Sequence, residues 1–121
     1  GTSLTLGGNL TLGPATSHVI SSQTTLPTTT ATTYTVGTVL AGSSDTKGQF
    51  TVTATAAAGT ATLVFTAAYV SAPICTVSPA SALTQPEAGK IYVSSATTGL
   101  TINYVVAPAA TLQTWNYHCV Q

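Results

Sequence analysis

Apolar and hydroxylated side chains alternate along much of this chain in short, separate runs. In residues 49–55, Phe50, Val52 and Ala54 fall on one side and Thr51, Thr53 and Thr55 on the other. In residues 60–66, Ala61, Leu63 and Phe65 alternate with Thr60, Thr62, Val64 and Thr66. A two-residue period turns successive side chains to opposite faces, so each run reads as a strand with one face toward a core. A third run, residues 74–78, is bracketed by Pro73 and Pro79, positions at which a strand tolerates proline. Residues 90–94 and 100–105 flank a turn-like stretch at 96–99 and predict a hairpin. After Pro108, Gln113 to Gln121 reads as a final strand.

Upstream the pattern changes. Residues 3–13 read SLTLGGNLTLG, with Leu4, Leu6, Leu10 and Leu12 on the period-two positions and Gly7-Gly8 as a turn between them. Two such strands cannot bury their leucines alone, so the segment is expected to act as an assembly arm or shaft. A plain hairpin laid on the main domain is the other reading. Residues 21–33, SSQTTLPTTTATT, read as an exposed loop or an extended edge segment. Tyr34 to Leu40 resumes strand character, with Gly37 at a bulge position, and a loop carrying Asp45 and Lys47 follows. No stretch has a helical period. The pattern predicts an all-β fold, an antiparallel β-sandwich or jelly roll over residues 46–121, preceded over residues 1–45 by an extended strand-repeat segment.

Composition narrows the partners. Only 3% of residues are charged, two basic and two acidic, against about 25% in an ordinary soluble domain. Nucleic-acid binding rests on neutralising phosphates with Lys and Arg, so no nucleic-acid partner is expected. Anionic membrane surfaces are excluded on the same ground. No run reaches the roughly 18 apolar residues of a membrane span, and no secretory-signal pattern opens at Gly1. A sheet-rich surface with so few charges lacks gatekeepers against edge pairing, so its edges are expected to be covered by self-association.

The candidate chemistry is sparse. Cys75 and Cys119 both fall in strand runs; an even pair in a chain of extracellular type reads as a disulfide, worth roughly 3–4 kcal/mol. The second reading is two buried thiols behaving as small hydrophobes. His118 and Cys119 are neighbours in a strand and face opposite ways, which prevents a nucleophile–base pair. His18, His118 and Asp45 supply triad residue types, but no G-x-S-x-G elbow accompanies them. Asp45 and Glu87 are the only carboxylates, and glycosidase chemistry would need both across one cleft. No spacing of ligands fits a zinc site. The expectation is a non-enzymatic protein with no catalytic residues, cofactor or metal. Phe50, Phe65, Trp115 and Tyr117 are expected in the core or an interface, and the loops 42–48, 80–89 and 106–112 are the expected receptor contacts.

Four segments, GTATLVFTAAY, SAPICTVSPASA, IYVSSATTGLTINY and TWNYHCVQ, occur in that order between Lys47 and Gln121. In their order and spacing they resemble the C-terminal modules of phage tail-fibre and related virion proteins. The resemblance implies a virion surface module, in a tail fibre, head fibre or spike, that forms a homotrimer beside other virion proteins. It also implies a part in host attachment, through a cell-surface glycan or other receptor. Fibre shafts wind short repeated strands around a threefold axis, which suits the Leu/Thr repeat at residues 3–13. Two other classes remain open from the residues themselves. One is an extracellular filament or pilus subunit at the cell surface, assembled by donation of the N-terminal strand. The other is a carbohydrate-binding module with aromatic side chains exposed in a row.

Overall fold

The structure is a computed structural model that describes residues 23–31, 34, 37–109 and 111–121. Its elements are β1 (Thr28–Ala31), β2 (Lys47–Thr53), β3 (Gly59–Val64), β4 (Ile74–Pro79), a 3-10 helix (Gln85–Lys90), β5 (Ile91–Ala96), β6 (Gly99–Tyr104) and β7 (Leu112–Val120). The fold is all-β, as the alternation predicts. Two antiparallel sheets form, with strand orders β1-β3-β6-β5 and β2-β7-β4.

The alternation sets which face each strand buries. On the four-stranded sheet Ala61, Leu63, Leu100, Ile102 and Tyr104 point inward, and on the three-stranded sheet Phe50, Val52, Trp115, Tyr117 and Cys119 do the same. All ten belong to one buried cluster, to which Phe65 also contributes, so the inner faces of the two sheets share a core. The outward positions are mostly Thr, Ser, Asn and Gln, and they solvate the surface through hydroxyls and amides. The expected hairpin is β5–β6, closed by Thr97 and Thr98 between the paired residues Ala96 and Gly99.

Cys75 and Cys119 are directly paired across β4 and β7 and form a disulfide, with Cα atoms 4.1 Å apart. Of the two readings of the pair, the oxidised one holds. Cys119 lies on the same inner face as Trp115 and Tyr117.

Residues upstream of Gln49 contribute more to this body than an extended arm would. Thr28–Ala31, from the Thr-rich run, is an edge strand paired with β3. Tyr34 enters the core with its hydroxyl donating to the Ala57 carbonyl at 2.9 Å. Among the described residues of the stretch around Gly37 no strand forms: Val39 makes an isolated bridge to β2, Leu40 N donates to Gln49 O and Thr51 N to Thr38 O, so residues 38–40 lie along the β2 edge. A Cβ on Gly37 would collide with the Thr51 carbonyl, so the residue marks a close backbone approach. Leu4, Leu6, Leu10, Leu12 and His18 lie outside the described residues.

Gln23 and Gln121 lie at the same end. Gln23 Oε1 accepts from Asp45 N, and Gln121 Nε2 donates to the Ser71 carbonyl and hydroxyl. The β3–β4 connection and the β5–β6 turn lie at this end, since Phe65 N and Tyr69 N donate to Thr98 O and Thr97 O. The β2–β3, β4–β5 and β6–β7 connections lie at the opposite end, where Gly59, Tyr104 and Ile91 form one row.

Candidate functional site

Both carboxylates are buried rather than presented in open turns. Asp45 Oδ1 accepts from Thr66 N at 2.7 Å and Oδ2 from Ala67 N at 3.0 Å, while Tyr69 Oη donates to the Asp45 carbonyl at 3.1 Å. The side chain therefore fastens the 42–48 loop to the chain leaving β3, and Ser43 and Ser44 are buried with it. The centre of this loop is an internal latch, while Gly42 and Lys47 at its ends are exposed. Asp45→Ala leaves two amides without their acceptor and is expected to cost about 1–3 kcal/mol, read from a chemical denaturation midpoint. Asp45→Asn, which keeps one acceptor oxygen, should lose less.

Glu87 is only 2% exposed and sits in the 3-10 helix. Its Oε2 is 3.1 Å from Lys90 Nζ, and Ala109 N donates to the same oxygen. Three residues apart in one short helix, the two side chains meet on the same side. The carboxylate is inside, held by a lysine that covers it. Asp45 and Glu87 thus have separate partner sets, and no interaction links them among the described residues.

A polar chain runs through the core. Trp115 Nε1 donates to Tyr104 Oη at 3.1 Å, and Tyr104 Oη donates to Gln113 Oε1. Tyr117 Oη donates to the Ser44 carbonyl. Burial is the main cause that pushes the Tyr117 phenol up to about 12, with the Ser43 hydroxyl opposing it. Burial also raises Tyr104, against the indole N–H that favours its ionised form, and raises Tyr34. A phenol that ionises near 10 in the unfolded chain but higher when folded makes unfolding release protons between those values. Stability is therefore expected to fall as pH rises from about 10 toward about 12. Melting temperatures recorded across that range check the sign.

The outer face of the three-stranded sheet gathers the remaining chemistry. Cross-strand register places Lys47, His118 and Thr76 in one row, and Gln49, Asn116 and Ser78 in the next. Gln49 Nε2 donates to Asn116 Oδ1 at 3.0 Å, which leaves the Asn116 Nδ2 donors for another partner. Between β4 and β7 lies a recess of about 140 Å³ lined by Thr76, Val77, Ser78, Asn116, Tyr117 and His118, of which Thr76, Ser78, Asn116 and His118 are exposed. With both carboxylates engaged elsewhere, Lys47 has no ion-pair partner among the described residues. Sequence reasoning missed this grouping, because it exists only once β2 and β4 are registered on β7.

Phe50, Phe65, Trp115 and Tyr117 all lie in the core. Of the eight aromatic residues, Tyr92 alone is exposed, at 56%, on the outer face of the other sheet. His118 is exposed and Cys119 buried on opposite faces of β7. Among the described residues no group of three or more His, Cys, Asp or Glu side chains is placed to hold a metal ion, and no helix is long and apolar enough to cross a membrane. No protein-family model matches the chain, and neither a curated protein nor a solved structure does.

Proposed function

We propose that this chain is a non-enzymatic structural module of a phage virion surface, part of a tail fibre, head fibre or spike, that self-associates as a homotrimer and takes part in host attachment. One observation carries the reading. The four segments that resemble tail-fibre modules coincide with β3, β4, the β5–β6 hairpin and β7, which build on one core together with β2. The likeness therefore spans an interlocked structural unit and not scattered strands. The disulfide supports a place on the virion surface or another oxidising exterior. The engaged carboxylates and the opposed His118 and Cys119 support a role without catalysis.

Self-association has its own support. Val70 is 97% exposed and Ile74 75%; Ile74 pairs with Val120, also exposed. All three lie at the end that holds Gln23, next to the Gln121–Ser71 bond. Apolar side chains gathered there suit packing against sister chains. Native mass by light scattering behind a sizing column, over a tenfold concentration range, tests the reading. A discrete species at three times the 12.1 kDa chain mass is expected. Particles distributed in length would replace the trimer with a strand-donating filament subunit, a reading favoured by the place of β4 at the edge of its sheet among the described residues. Seven buried or half-buried aromatics disfavour the third class, a carbohydrate-binding module that stacks sugars on an exposed aromatic row.

A further inference from the structure

From the outer face of the three-stranded sheet we infer a binding subsite for an acidic sugar residue, a uronate-type unit within a larger surface glycan. The inference rests on the attachment reading and gives it a place and a chemical class. The surface of this chain is almost free of charge: of its two lysines, Lys90 covers the buried Glu87, and Lys47 is the other. Lys47 stands directly across from His118, the pair lying on one face as cross-strand partners whose Cβ atoms are typically about 5 Å apart. On the far side of His118 is Thr76, and in the next row Asn116 and Ser78 complete the recess.

The donor set is lopsided. An ammonium, an imidazole and a primary amide share this face with two hydroxyls, Lys47 beside the recess across His118, and no carboxylate lies on it, because Asp45 and Glu87 are held elsewhere. A carboxylate is the complement of Lys47 and His118, through charge-assisted hydrogen bonds. The hydroxyls and the Asn116 amide are the complement of sugar hydroxyls, which both donate and accept. A bare anion would use the first pair and leave the second row idle. A neutral sugar would leave Lys47 unmatched. The recess of about 140 Å³ is far below the roughly 300–1,000 Å³ of a pocket that engulfs a whole ligand. It suits one unit of a chain that continues across the sheet.

The test is a titration of the isotope-labelled 121-residue chain, followed by backbone amide shifts, with sodium glucuronate, glucose and sodium sulfate as parallel probes. Glucuronate is expected to give saturable shifts at Thr76, Ser78, Asn116 and His118, with glucose and sulfate much weaker. Lys47→Ala and His118→Gln should each weaken glucuronate by about tenfold, with unchanged melting temperatures, and Tyr92→Ala should leave it unaltered. Equal response to glucose, an equal response to sulfate that marks an adventitious ion only, shifts mapping elsewhere, or no response would each overturn the assignment. Binding to a panel of bacterial surface polysaccharides separates this from the wider reading. Binding that survives both substitutions removes the subsite and leaves attachment standing. A wild-type chain that answers glucuronate yet binds no polysaccharide counts against attachment alone.

Discussion

Replacing Cys75 and Cys119 together by alanine is expected to lower the stability of the folded chain by about 4 kcal/mol. The bond spans 44 residues of sequence, and a cross-link of that span removes much of the loop freedom of the unfolded chain. In the folded state the two residues are already held opposite each other by the β4–β7 ladder, so the native geometry should change little without it. The effect should therefore appear as a lower urea midpoint together with a steeper dependence on urea, since the unlinked unfolded chain exposes more surface. An unchanged midpoint would mean that the ladder alone constrains this edge, and that the unfolded chain is compact enough not to need the link.

The second large effect is expected at Trp115, which is completely buried at the centre of the core. Trp115→Ala removes its indole ring from between the sheets and should cost about 3–5 kcal/mol. Trp115→Phe separates packing from polarity. It keeps much of the ring volume but takes the N–H away from Tyr104 Oη, which continues the chain to Gln113. Gln113 Nε2 already has no partner among the described residues, so that network has little slack. A cost of about 1–3 kcal/mol is expected for the phenylalanine. Tyr92→Ala, on an outer face, should stay within about 0.5 kcal/mol of the parent. Small domains carry about 5–15 kcal/mol in all, so the alanine variant would show as a large loss of folded material on heating.

How far the sequence could be read depended on whether a residue's partners leave a trace in local pattern. The inward sets Ala61, Leu63, Phe65 and Trp115, Tyr117, Cys119 are legible because period-two alternation is itself the packing rule. The hairpin is legible because Thr97-Thr98-Gly99 interrupts two apolar runs at a spacing that only a tight turn satisfies. Asp45 was not legible, because its partners are the amides of Thr66 and Ala67, and backbone groups carry no residue identity. A carboxylate among Gly and Ser reads as solvated in sequence whether or not an amide pair awaits it. β1 was legible only as the extended-edge alternative for the Thr-rich run: Thr28, Thr29 and Thr30 place the same side chain on both faces, so no alternation chose a strand over a loop. The row of Lys47, His118 and Thr76 joins three distant segments, and only the register of two strand pairs brings it together.

The placement of the connections has a consequence for how such a chain could diversify. Gln23 and Gln121 sit at one end, with the disulfide, the Asp45 latch and the β5–β6 turn in the same half. The β2–β3, β4–β5 and β6–β7 connections at the other end bear no part of that joint. Lengthening a connection costs only about 0.6 kcal/mol per doubling, so residues 55–58, all exposed, offer a place for insertions that leave the Ala57 carbonyl on the Tyr34 hydroxyl. The two ends can thus change at different rates. A lineage could exchange the far-end connections while keeping the disulfide, the Asp45 latch and the core between them.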